Sequence, residues 1–402
     1  MSEPQGPHFL QIPGPSPVPE RILNAISRQV IDHRGPAFQA LGREVLDGCR
    51  AVFGTTQPVI IYPASGTGAW EAAIVNTLSP GDRVLMAETG HFATLWRQLA
   101  KRWGIAVDFI PGDWRHGVDT GAIQAALSKD KAHAIKAVMV VHNETSTGCL
   151  SDIAGVRKAI NAARHPALLM VDAISSLGSV EIRHDEWEVD VTVSCSQKGL
   201  MLPPGLSFTA VSQKAVAASK NNILPRSYWD WSEMLAANAK GFFPYTPATN
   251  LLFGLREALA MLQEEGLQNV FARHRRLAEA TRAAVRGWGL DILCLDPQLH
   301  SPVLTAVMLP PGHDADAFRK IALEKFNLSL GAGLAKIAGK VFRIGHLGDC
   351  NELTLMAALC GVEMGLSLAA IPHKAGGVML AMDALGRDGE VLQLDAREAL
   401  RA

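Results

Sequence analysis

Two spacings of apolar residues alternate along the chain. Ile22, Ile26 and Val30, then Phe38, Leu41, Val45, Cys49 and Val52, recur every three or four positions. That period predicts two amphipathic helices. Pro19 opens the first, Gly54 stops the second, and Asp32 to Pro36 form a polar break between them. The second spacing is the short continuous apolar run. Val59 to Tyr62, Arg83 to Met86, Ala106 to Ile110, Ala137 to Val141, Leu168 to Val171 and Val189 to Val193 each read as a buried strand. Helical patterns near 92–102, 119–128 and 152–163 fall between them. Strands alternating with helices predict an α/β fold with a mostly parallel sheet covered on both faces.

After residue 250 the pattern changes. Helical segments near 248–265 and 267–288 lead into strands at Thr305 to Met308 and Val341 to Ile344, with helices near 314–326 and 351–366. This predicts a smaller C-terminal α+β domain. The expected division is an N-terminal arm (1–20), a large domain (21–250), a small domain (251–370) and a tail (371–402). The arm, with five prolines among residues 6 to 19, is expected to be extended and to lie along a surface. The stretch 225–247 is irregular and aromatic, and a partner subunit is one candidate to cover it.

A chain of 402 residues with 48% hydrophobic and 19% charged residues has ample core for two or three domains. Its formal net charge of −1 gives no electrostatic reason to expect a nucleic acid or an anionic membrane as partner. The sequence shows no apolar run of membrane-spanning length and no signal-peptide pattern at its start, so a cytoplasmic location is expected. The six cysteines include no C-x-x-C pair, so neither a metal site nor a disulfide framework is expected.

Four features bear on chemistry. Lys198 follows a strand and stands in S-Q-K-G-L before Pro203, Pro204 and Gly205. A lone lysine there is ordinarily a solvated loop residue, but an uncrowded one can act as an amine nucleophile. The bend Ser65-Gly66-Thr67-Gly68 between a strand and a helix suits a phosphate. With Glu88 downstream it also mimics a dinucleotide fingerprint, although Glu71 replaces the third glycine. Asp172 ends an apolar run at the carboxyl edge of the sheet, where ligand contacts are made, although an isolated aspartate there is ordinarily a helix cap or turn residue. Arg343 interrupts an apolar strand and needs an anion there, either an internal carboxylate or that of a substrate. A lysine, a carboxylate and a phosphate cup together match pyridoxal 5'-phosphate, which needs one for its imine linkage, one for its ring nitrogen and one for its phosphate. The polar run His142 to Gly148 is either a solvated loop or an edge facing the ligand.

These segments resemble the class V aminotransferases of the fold-type I pyridoxal-phosphate group, most of all the serine–glyoxylate type. The resemblance rests on P-G-P-S-P-V-P at 13–19, S-G-T-G-A-W-E at 65–71, V-H-N-E-T-S-T-G at 141–148, S-Q-K-G-L at 196–200, P-Y-T-P at 244–247 and A-G-K-V-F-R-I-G-H-L-G at 338–348. It covers about residues 8 to 367. It implies that Lys198 carries the cofactor and Asp172 pairs with its ring nitrogen. Thr67, Gly68 and Gln197 would hold the phosphate, with Thr246, and Tyr245 beside it, supplied across a homodimer. Phe92 would stack on the ring, Ile174 would press on its other face, and Thr145 would bond the phenolic oxygen side. Arg343 would bind the substrate carboxylate. His33 and Arg34 would reach into the partner's site, although plant members carry tyrosine at the position of His33. The implied reaction moves an amino group from L-serine to glyoxylate. Aspartate or alanine as donor is the near alternative. A nicotinamide oxidoreductase or a non-catalytic protein on the same fold is a remote one. A desulfurase reading would need Cys350 as a reactive thiol.

Overall fold

The computed structural model describes residues 6–386. Its large sheet has seven strands in the order Val59–Tyr62, Ser207–Val211, Val191–Cys195, Leu168–Asp172, Ile135–Val141, Arg83–Ala87 and Ala106–Ile110. Ser207–Val211 runs antiparallel to both of its neighbours. The remaining pairings are parallel. The mostly parallel α/β sheet expected from the alternation is therefore present.

Ser207–Val211 was not among the expected strands, because it follows the prolines that appeared to end regular structure. Pro203 and Pro204 lie before it and cost it no ladder donor. The expected strand at Val189 begins two residues later, since Asp190 stands outside it. The Asp190 carboxylate accepts from Leu169 N–H (2.8 Å), Arg157 Nη2 (3.0 Å) and Ser212 Oγ (3.0 Å).

Both faces of the sheet are covered. Along Val59–Tyr62, Val59 and Ile61 enter one core and Ile60 and Tyr62 the other, as the two-residue period of a strand requires. The first core receives Phe38, Leu41, Val45, Cys49 and Val52 of the helix Pro36–Phe53, which ends at Gly54 with φ 61° as expected. It also receives Leu252, Leu255 and Ala258 of the helix Thr249–Glu265, so the chain leaves this core only near Gly266. The opposite core holds Trp70 stacked on Trp96, with ring centroids 5.8 Å apart. The aromatic stretch 225–247 is largely absorbed by the chain itself. Trp231 opens a helix, Trp231–Asn238, and is fully buried, while Phe242 and Phe243 pack against the first core. The helix at 20–26 stops short of Val30, which is exposed.

The second sheet belongs to the smaller C-terminal domain. Its order is Phe9–Gln11, Leu328–Ala332, Val341–Gly345, Leu304–Met308, Asp291–Ile292. The N-terminal arm thus becomes an edge strand, parallel to Leu328–Ala332. The helices Ala315–Phe326 and Glu352–Leu368 pack on this sheet. Residues 371–386, expected to be loosely specified, fold onto the same core through Ile371, Ala381 and a helical turn at 377–386. Glu363 anchors them by accepting from Val378 N–H (3.0 Å) and Trp288 Nε1 (2.7 Å). The rest of the expected tail, 387–402, lies outside the described residues.

Candidate active site

Parallel strands deliver their side chains to one edge of the large sheet, and that edge carries the site. Asp172 is the last residue of Leu168–Asp172, and Lys198 follows Val191–Cys195 by three residues. The helix Gly66–Thr77 starts directly after Val59–Tyr62 and its bend. A cavity of about 170 Å³ lies between them. Its walls include Thr67, Trp70, Phe92, Thr145, Asp172, Ile174, Gln197 and Lys198.

Asp172 is buried. Its two oxygens accept from Trp70 Nε1 (3.0 Å) and Ile174 N–H (2.7 Å). Burial, reinforced by the charge of Glu144, raises its carboxyl to about 7 despite those two donors. Burial lowers the Lys198 ammonium to about 8, while its Nζ donates to Pro13 O (2.5 Å). The acid and the amine therefore both titrate near neutrality. Such a pair of displaced values marks chemistry more often than stability.

The cup beside them is open to an anion. Ser65, at the helix N-cap, makes no side-chain hydrogen bond to the first turn, so the N–H groups of Gly66 and Thr67 are left for a ligand, while Gly68 N–H donates to Ser65 O (2.9 Å). The amide of Gln197 is unpartnered at its buried oxygen end. A Cβ on Gly66 would come within 2.5 Å of Ile174 Cδ1, so only glycine lets the bend and Ile174 approach this closely.

The run His142 to Gly148 is buried throughout, which rules out the solvated-loop reading. It folds as a hairpin of Asn143–Glu144 and Cys149–Leu150. Thr145 Oγ1 donates to Ser175 Oγ (2.7 Å). Thr145 O accepts from Arg343 Nη1 (2.6 Å), and Arg343 Nε donates to Ala332 O (2.7 Å). Arg343 is buried, yet no carboxylate among the described residues pairs with it. Burial lowers it to about 10, and it remains a cation. Of the two anions the sequence left open for Arg343, the internal ion pair is absent from the described residues.

Three contributors were not identified from the sequence. Trp70 holds Asp172, and its position one helical turn after Gly66 was the available signal. Glu144 is fully buried at the start of the helix His91–Arg102, accepting from Phe92 N–H (3.2 Å), Ala93 N–H (3.1 Å) and Ser146 Oγ (2.6 Å). It thereby fixes Phe92, the ring lining the cavity. The third is the arm itself. Ser16 N–H donates to Gln197 O (3.0 Å) and Ser16 Oγ to Lys198 O (2.9 Å). At Gly14, with φ +93°, a Cβ would lie 2.4 Å from Lys198 Nζ. The P-G-P segment is thus pressed against the lysine.

Six of the expected residues do not line this cavity: Gly68 and Arg343 adjoin it through Thr67 and Thr145, and the other four stand apart from its walls. His33 is half-buried with Nε2 unpartnered, and Arg34 is exposed. Tyr245 stacks on Tyr228 with centroids 4.5 Å apart, and Thr246 is exposed. The carboxylate a dinucleotide reading would use, Glu88, instead bonds Trp114 Nε1 (3.0 Å) and Lys336. Burial pushes the Cys350 thiol up to about 11, the opposite of a reactive thiolate.

Ring nitrogen, aldehyde and phosphate of pyridoxal phosphate each find a fitting group here: a buried acid, an amine near neutrality and an uncapped helix start. Fold and site together define a pyridoxal-phosphate enzyme of fold type I. Within that class the chain belongs to the class-V aminotransferases, whose family profile matches residues 8–347. It is 50% identical to the serine–glyoxylate aminotransferase of Methylorubrum extorquens over 90% of this chain and 91% of that protein. It is 44% identical to the L-aspartate–glyoxylate aminotransferase of Paracoccus denitrificans, over 94% of this chain and 96% of that protein. Among solved structures it resembles the pyridoxamine-pyruvate aminotransferase of Mesorhizobium loti. The TM-score is 0.90 at 29% identity, covering 96% of this chain and 98% of that one. The ureidoglycine-glyoxylate aminotransferase of Bacillus subtilis gives a TM-score of 0.88 at 28% identity, covering 96% and 99%. The protein is an aminotransferase dependent on pyridoxal phosphate, and no described helix is long and apolar enough to cross a membrane.

Proposed function

We propose that the protein transfers the amino group of L-serine to glyoxylate, giving hydroxypyruvate and glycine. The single observation that carries this reading is Arg343, buried and without an ion pair among the described residues, donating to Thr145 O in the wall of the cavity that holds Lys198 and Asp172. Two serine–glyoxylate relatives at 50% and 48% identity support serine as donor. The aspartate–glyoxylate relative at 44% keeps aspartate as the second reading.

Pyridoxal phosphate, once bound, supplies an electron-withdrawing ring that makes the α-proton of an amino acid acidic. Thr67, Gly68 and Gln197 would hold its phosphate, and Phe92, Ile174 and Thr145, which line the same cavity, would hold its ring. Asp172 keeps the ring nitrogen protonated, and its burial strengthens that contact. Arg343 fixes the substrate carboxylate through the N–H donors that Thr145 and Ala332 leave free, Nη2 among them, which orients the α-carbon. Lys198 serves first as the attachment point. Its free amine would then be the base that holds and moves the α-proton of the substrate. Its lowered value leaves a large fraction of the amine neutral near pH 8. Glyoxylate runs the same sequence in reverse.

In this reading the enzyme is a homodimer, with His33, Arg34, Tyr245 and Thr246 completing the partner's site. That none of the four lines this chain's own cavity supports that assignment. The test is a comparison of kcat/KM for L-serine, L-aspartate and L-alanine with glyoxylate as acceptor. Serine is expected to lead, and aspartate in first place would transfer the assignment to the second reading.

A further inference from the structure

The helix Leu267–Trp288 presents Arg275, Glu279, Arg282 and Arg286 along one wall of a second, open groove of about 970 Å³. The groove shares no lining residue with the cofactor cavity. Leu150 and His300 form the facing wall. Its charge is unbalanced. Arg276, also on this wall, is matched by Glu352, while Arg282 and Arg286 share the single carboxylate of Glu279. Arg275 forms no ion pair among the described residues. Arg282 is only 4% exposed, bonding Ser301 O (3.0 Å) and Glu279 (2.6 Å), while its buried Nε has no partner among the described residues. Three guanidiniums with one carboxylate between them among the described residues leave this wall positive, which suits an anion. The field is felt nearby: burial, then the charge of Arg282, holds the His300 imidazole below its usual range.

The groove is wired to the active site. His300 bridges backbone to backbone with Cys149, in the outer strand of the hairpin that carries Thr145 and so supports Arg343. We propose that this groove is a second site that binds a small anion bearing two or more phosphate or carboxylate groups, and that its occupancy is sensed at Arg343 through the hairpin. Planar guanidinium forks spaced along one helix face suit several charged groups rather than one.

The test is calorimetric titration of the holoenzyme, its cofactor cup filled, with pyrophosphate and separately with citrate at low ionic strength. At least one probe is expected to bind saturably, one per chain. Pyrophosphate alone would assign phosphate chemistry to the ligand, and citrate alone carboxylate chemistry. The Arg275→Ala/Arg286→Ala variant should weaken binding about tenfold or more while leaving basal transamination unchanged. Arg275→Lys/Arg286→Lys should retain part of the affinity. Saturation should also shift the KM for the amino donor in the parent enzyme and not in the alanine variant. Absence of binding by either probe, or binding that the alanine variant leaves intact, overturns the site. An unmoved KM overturns its coupling to Arg343.

Discussion

Lys198 and Asp172 sit at the ends of neighbouring parallel strands, while His33, Arg34, Tyr245 and Thr246 sit on connecting segments outside the cavity. The first pair is finished within one chain: both groups are enclosed and both are displaced from their ordinary values by burial. The second set is half-buried or exposed, and in the proposed homodimer its role is against another copy. On that proposal the rigid sheet supplies the chemistry, and the connecting segments supply what a partner must share. The difference predicts that changes in the first set are lethal to activity in any assembly, whereas changes in the second can be complemented.

The largest effect is expected from Lys198→Ala, which removes both the attachment point and the base. kcat should fall by at least about 10⁴-fold, measured as glycine formed from glyoxylate. Near-normal turnover would break the assignment. Arg343→Gln comes next. Loss of a buried cation from its carboxylate partner costs roughly 2–5 kcal/mol, so kcat/KM should drop by about 30- to 5,000-fold, carried mainly by KM. An effect confined to kcat would place the substrate carboxylate elsewhere.

A third prediction concerns pH. The folded value of Lys198 is depressed to about 8, so the amine is protonated below that pH and free above it. The rate at which apoenzyme takes up pyridoxal phosphate should therefore rise with pH and level off above about 8. It should fall about fivefold from pH 8 to pH 7 and nearly tenfold for the next unit. The same depression means that the unfolded chain binds more protons between about 8 and 10.5, so apoenzyme stability should rise with pH across that window. A rate still climbing steeply at pH 10 would return Lys198 to an ordinary, solvated lysine. The smallest effect is expected from Thr246→Ala. One charge-assisted hydrogen bond contributes about 1.5–3 kcal/mol, so cofactor affinity should weaken about tenfold to a hundredfold. Mixing this variant with Lys198→Ala sharpens the comparison. Half of the sites in mixed dimers would then combine an intact lysine with an intact partner loop, and activity should recover. If mixing gives no recovery, the loops serve their own chain.

The same division explains what was legible. Strand-end residues announce themselves, because an apolar run of fixed length ends at a polar residue, as Val171 does at Asp172 and Cys195 does just before Lys198. The alternating elements of the large domain follow from that pattern, and the cup follows from its glycines. Less legible were features set by long-range contacts. Ser207–Val211 is a central strand, although the prolines before it suggested none. Phe9–Gln11 joins the far domain's sheet more than 300 residues away in sequence. Nothing local indicates that Pro13 would lie over Lys198 or that Glu144 would cap the helix holding Phe92. Glu144 reads as one polar residue in a polar run until the fold buries the whole run.

The most direct test of the central claim is the absorbance spectrum of the purified protein after incubation with pyridoxal phosphate, followed by L-serine and then glyoxylate. A long-wavelength band that serine bleaches and glyoxylate restores is the predicted result. The absence of any band after incubation with cofactor would contradict the roles given to Lys198 and Asp172, and with them the reading of the site.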